Sequence, residues 1–129
     1  MNQLGFAMGM QRRTKAFAVQ VIKFFVKLPK TDEARVVGRQ LLRSGTSVAA
    51  NYRAVCRAKS RADFISKMGT VVEETDETLL WLELLEEAEV CANPKLNVLK
   101  TETDELLRIF STSLNTAKNH PRPRAEVIH

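Results

Sequence analysis

Three groups of residues in this 129-residue chain have types and spacings that could do chemistry. The first is a row of cations: Arg35, Arg39, Arg43, Arg53 and Arg57, continued by Lys59 and Arg61. Guanidinium groups stay charged and present forked donors that match phosphate and carboxylate oxygens. The second is a crowd of carboxylates at Glu73, Glu74, Asp76, Glu77, Glu83, Glu86, Glu87 and Glu89. A di-iron site in a helical bundle would need Glu-x-x-His on each of two helices, and the only histidines, His120 and His129, lie at the C-terminal end. A solvated or salt-bridged face accounts for the acids better. The third is Cys56 and Cys91, far apart and in no CxxC, which read as reduced thiols in a cytoplasmic setting. Nothing pairs a nucleophile with a base or builds a phosphate-binding glycine loop. No catalytic residue, metal or cofactor is therefore expected, and the chain is read as a non-enzyme.

The arginines can act together only if one element aligns them. Residues 40–61, QLLRSGTSVAANYRAVCRAKSR, could be a loop between two short helices or one helix with two faces. On a helical wheel at about 100 degrees per residue, Arg35, Arg39, Arg43, Arg53 and Arg57 fall within an arc of about 80 degrees. Val37, Leu41, Leu42, Val48, Ala49, Tyr52, Val55 and Cys56 fall on the other side. A central loop gives no reason for that phase to persist from Arg43 to Arg53, so one helix from Asp32 to Arg57 is predicted. Gly45 lies on the apolar face, where a missing side chain lets another helix approach. Ser44, Ser47 and Asn51 form a polar strip beside the core, suited to buried hydrogen bonding.

Three more helices follow from the same periodicity. Between Thr14 and Leu28 the stripe is Ala18, Val21, Ile22, Phe25 and Leu28, flanked by Phe17 and Phe24, and Pro29 ends it. Thr31 is placed as the next N-cap, with Asp32 and Glu33 in the first turn. Ser60 with Asp63 resembles a capping box that starts a third helix running to about Val90. Asn93-Pro94 starts a fourth, with the stripe Leu96, Leu99, Thr103, Leu106, Phe110, Leu114 and Ala117. Short breaks make neighbours antiparallel, so the fold is an all-α antiparallel up-down four-helix bundle. Residues 13–118 form it, with 1–12 an N-terminal extension and 119–129 a mobile tail.

Composition agrees: 44% hydrophobic, 27% charged and only five glycines suit a helical domain rather than a disordered or β-rich chain. The N-terminus does not read as a signal peptide, and no apolar run approaches a membrane span. Net charge is +5 but polarised: residues 1–67 carry +11 and residues 68–129 carry −6. Such asymmetry fits an anionic partner, or basic and acidic segments that meet within or between subunits. The arginine row therefore has two readings, phosphates or the glutamates of the third helix. No aromatic residue interleaves it, so binding to RNA or DNA would be backbone-directed with weak sequence preference.

The third helix has its own anomaly. Phe64, Met68, Val71, Val72, Thr75, Leu79 and Leu82 make one stripe, while Leu80, Trp81 and Leu84 point elsewhere. Either the helix is central in the bundle, or a second patch around Trp81 is an oligomer interface.

RTKAFAVQVIKF, QLLRSGTSVAANYRA, SRADF and WLELL together resemble the four-helix-bundle family of 23S rRNA intervening-sequence proteins, over residues 12–118. The most specific part is the pattern Arg43, Ser44, Ser47 and Asn51, with Asp63 and Phe64 at the next cap. The resemblance implies a small bacterial bundle without catalytic activity, a homo-oligomer that in known relatives is a ring of five. It also implies kinship to accessory proteins of diversity-generating retroelements, which bind nucleic acid and a reverse transcriptase. Many members continue from the Asn with Ile-Ala-Glu-Gly, whereas this chain has Tyr52-Arg53-Ala54-Val55 and is more basic there.

Overall fold

The computed structural model describes residues 3–119; the predicted tail, apart from Asn119, lies outside the described residues. Four helices follow one another: α1 (Gln3–Val26), α2 (Asp32–Val55), α3 (Arg61–Glu87) and α4 (Lys95–Asn119). They form an antiparallel bundle in which α2 packs on α1 and α3, α3 packs on α4, and α1 touches α4 only lightly. The 40–61 stretch is resolved in favour of the helix, which is unbroken through Ser44, Gly45, Thr46 and Ser47.

Local chemistry sets the boundaries. Thr31, in extended backbone, accepts the Ala34 N–H at 3.3 Å and so caps α2. Ser60 accepts the Asp63 N–H at 3.0 Å, and Asp63 Oδ2 reaches back to the Lys59 N–H at 3.0 Å. This is the predicted box with its return bond moved one residue outward. Asn93 Oδ1 accepts the Lys95 N–H at 2.9 Å and opens α4. The end of α3 comes at Glu87 rather than near Val90. Glu89 takes a left-handed φ of 54°, the Glu89 N–H reaches the Glu86 carbonyl and the Val90 N–H reaches the Leu85 carbonyl, both at 3.0 Å. That pair of bonds is a Schellman closure, with Val90 folded onto the core beside Leu85.

The first helix corrects the predicted stripe. It begins at Gln3, and its buried residues are Met10, Thr14, Phe17, Val21, Phe24 and Leu28. Ile22, placed in the core from sequence, is 44% exposed, while Ala18 and Phe25 are only half-buried. The reason is bulk: the two phenylalanine rings occupy the face toward the bundle axis and rotate the helix until Ile22 points outward. Leu41, Val48, Tyr52, Val71, Leu82, Leu85, Leu106 and Phe110 complete the centre of the core. The Tyr52 and Phe110 rings stack there with centroids 5.4 Å apart.

Buried threonines are a second feature of that core. Thr14, Thr75, Thr78 and Thr103 each donate to the carbonyl one turn earlier, at 2.9, 2.7, 2.7 and 2.6 Å. The hydroxyls are thereby satisfied within their own helices, Thr78 alone also meeting a hydroxyl of α2, and the methyl groups remain for packing.

Candidate nucleic-acid interface

α2 presents its arginines because its opposite side is packed shut. Gly45 lies so close to α1 that a Cβ there would stand 2.9 Å from Val21 Cγ1. Gly38, about two turns of the apolar face earlier and not singled out from sequence, has the same relation to Leu28 Cδ1 at 2.6 Å. Toward α3, the buried Ser44 hydroxyl lies 2.9 Å from Thr78 Oγ1. Asn51 Nδ2 donates to the Ser47 carbonyl at 2.8 Å. Phe64 packs half-buried against the core. Of the family-motif residues, Ser44 thus seats α2 on α3, Asn51 bonds Ser47 within α2, and Asp63 and Phe64 start α3; α2 cannot rotate without breaking the Ser44–Thr78 contact.

The row itself divides. Arg35 donates to Asp32 Oδ1 at 2.7 Å in its own first turn and to the Lys30 carbonyl at 3.3 Å. Arg43 bonds Glu77 of α3, with Glu74 Oε1 at 3.5 Å. Glu77 also accepts the Trp81 indole N–H at 3.3 Å, which makes a chain from Arg43 through Glu77 to Trp81. Arg61 reaches across to α4 and donates to the Ala117 and Lys118 carbonyls, acting as a C-cap for that helix. Arg39, Arg53 and Arg57 are exposed and have no acidic partner among the described residues, and the Lys59 side chain is likewise exposed. So the structure keeps Arg39, Arg43 and Arg53 on the outward face of α2, which ends at Val55 and leaves the predicted terminal residue Arg57 in the turn beyond it, draws Arg43 toward α3 and removes Arg61 to the bundle end.

On α3, Leu80 and Leu84 are 45% and 39% exposed, whereas Trp81 is half-buried against the core. The outward apolar pair is therefore the two leucines, with Trp81 at its edge.

The clamp between α1 and α4 was not anticipated from sequence. Arg13 donates to Glu102 through two nitrogens, at 2.7 and 2.8 Å, and to Glu105 at 2.6 Å. These bonds, Glu102 first, raise the already high pKa of the guanidinium further. The clamp crosses a groove of about 630 Å³ whose floor includes Phe17, Phe24 and Leu99. A signal did exist in the unpaired acids at i and i+3 on α4, but no sequence rule assigns them a partner 89 residues away. Cys56 and Cys91 are both free thiols. Among the described residues no helix is long and apolar enough to cross a membrane.

Comparisons with known proteins agree with this architecture. A crystal structure of a protein of unknown function from the S23 ribosomal protein family of Bacteroides thetaiotaomicron is 31% identical. It superposes with a TM-score of 0.77, covering 85% of this chain and 98% of that one. No curated protein matches the chain. The model of the 23S rRNA-intervening sequence protein family matches residues 8–112. With a four-helix bundle and a family match over most of its length, the chain belongs to the 23S rRNA-intervening sequence protein family.

Proposed function

We propose that this protein is a non-enzymatic, self-associating cytoplasmic bundle that binds the backbone of RNA or DNA through the outward face of α2. The observation that carries the reading is the set of Arg39 and Arg53 on α2 with Arg57 in the turn just past its end: exposed, and unclaimed by any carboxylate among the described residues. Arg39 and Arg53 are about 21 Å apart along the helix at 1.5 Å per residue, a span that crosses several phosphates of a strand. Lys59 extends the positive surface beyond the helix end. The face offers charge and forked donors without aromatic platforms, so it favours phosphate over bases. Self-association rests on the exposed Leu80–Leu84 pair of α3.

A second reading has its own support. Arg43 is already bound to Glu77 and Glu74, Arg35 to Asp32 and Arg61 to the end of α4, so three of the seven predicted cations work inside the protein. If further glutamates from a subunit or a protein partner claim Arg39, Arg53 and Arg57, the molecule is an interaction scaffold.

Titrating a labelled single strand and a labelled duplex with the full chain, at several salt concentrations, separates the two. Phosphate binding predicts affinity that falls steeply as salt rises. No binding at low salt, or binding indifferent to salt, leaves the scaffold.

A further inference from the structure

Of the four seams between neighbouring helices, the one between α1 and α4 is the least closed, since these two helices touch only lightly. The groove of about 630 Å³ along it has a floor that includes Phe17, Phe24 and Leu99, with Val98, 59% exposed, on the α4 wall. Its two ends differ in charge. At one end Arg13 is taken up by Glu102, the only acid in the lining. The other end is lined by Lys23 and Lys27 of α1 and by Lys95, the first residue of α4. None of these three lysines meets a carboxylate among the described residues. Lys23 and Lys27 are one turn apart, so their ammonium groups share a side of α1. The start of α4 adds the positive end of its dipole there, with no acid in the first turn to offset it.

We infer that this groove receives an acidic amphipathic helix of a partner protein, with apolar side chains on the floor and carboxylates toward Lys23, Lys27 and Lys95. The length suits it: from Arg13 to Lys27 the α1 wall runs about 21 Å, or roughly four helical turns. Both walls are helices whose backbone groups are bonded within their own turns, so the groove has no row of free N–H and C=O groups to pair with an extended strand. A helix brings its own backbone bonds and needs only side-chain contact. Charge selects the rest, because three unpaired ammonium groups at one end attract carboxylates and repel a basic segment. The chain's own residues 120–129 do not meet that need: they follow Asn119 at the far end of α4, and they contain Pro121, Pro123, Arg122 and Arg124. None of the groove residues belongs to the arginine face of α2 or to the Leu80–Leu84 pair. Loss of nucleic-acid binding therefore leaves this surface unaffected.

The probe is a labelled synthetic helix of about 14 residues, with a leucine stripe at helical spacing and glutamates at one end, titrated into the full chain by fluorescence anisotropy. One control peptide has glutamine for each glutamate, and a second has the same composition with the leucine stripe scrambled. The acidic peptide is expected to bind about tenfold more tightly than either control. Lys23→Glu with Lys27→Glu should weaken it by about tenfold or more, and a peptide with lysines for glutamates should bind that variant and not the wild type. If charge reversal disturbs folding, seen as lost helix content by circular dichroism, Lys23→Gln with Lys27→Gln should still weaken the acidic peptide on an intact bundle. Val98→Asp, at an exposed position on the wall, should weaken it as well. An acidic peptide that does not bind, that binds no better than its controls, or that binds both lysine variants like the wild type overturns the inference. So does binding lost in Arg39→Gln, Arg53→Gln, Arg57→Gln and kept in the lysine variants, which would place the peptide on α2. A fall in the mass of the chain by light scattering as peptide is added would show a second copy in the groove, and overturns it too.

Discussion

Gly45 and Gly38 both sit on the buried side of α2, yet they should answer differently to an added methyl group. At Gly45 the new Cβ meets Val21 at 2.9 to 3.3 Å through Cγ1, Cγ2 and Cβ. A fully buried β-branched side chain in a helix has one good rotamer and nowhere to turn. At Gly38 the nearest atom is the terminal Cδ1 of Leu28, in the connection after α1, which can swing aside. Replacing Gly by Ala in a helix is worth about 1 kcal/mol, and overpacking costs about 1–3 kcal/mol. Gly45→Ala should therefore lose about 1 kcal/mol net, and Gly38→Ala should be near neutral or stabilising, as urea unfolding will measure. Equal effects at the two sites would contradict the packing described for α1 on α2. Gly45 was legible in the sequence from its wheel position. Ile22 was not, because periodicity fixes which residues can share a face and not which of two overlapping faces the larger side chains win.

At the scale of elements, the helix ends carry the clearest consequences. Glu89 holds a left-handed φ that a non-glycine residue adopts at a cost of about 1–2 kcal/mol, and its negative charge sits at the negative end of α3. Glu89→Gly should stabilise the protein by about 1 kcal/mol, seen as a higher midpoint in urea with unchanged slope. At the other end of α3, the Lys67 ammonium at 2.7 Å and the Lys59 N–H hold the Asp63 carboxyl below its usual range. Its folded value lies below the unfolded one, so its contribution is present above about pH 4 and is lost as pH falls through the depressed value. In thermal melts, the gap between the wild type and Asp63→Asn should narrow as pH drops below about 4; a gap that stays constant would show that the box does not work through charge. The caps at Thr31, Ser60 and Asn93 were readable beforehand because each depends on residues within four positions. The early stop of α3 was not, since no Gly or Asn marks the left-handed residue.

For the whole molecule, the polarised charge read from the sequence has become a spatial division. The acidic α3 neutralises Arg43, and acids of α4 hold Arg13, yet Arg39, Arg53 and Arg57 stay outward and unpaired among the described residues. The row was visible in the sequence because one unbroken helix sets its phase. Its division was not, because which arginine meets a glutamate depends on where α3 crosses α2, and that crossing is fixed by contacts such as Ser44 with Thr78. Whether the unpaired arginines bind phosphate is decided by comparing salt slopes for the wild type and the variant Arg39→Gln, Arg53→Gln, Arg57→Gln on one labelled strand. For the wild type, log K should fall linearly with log salt. The variant should bind more weakly with a slope shallower by about one unit for each lost phosphate contact, at unchanged helix content and mass. A variant whose affinity and slope equal those of the wild type would contradict it.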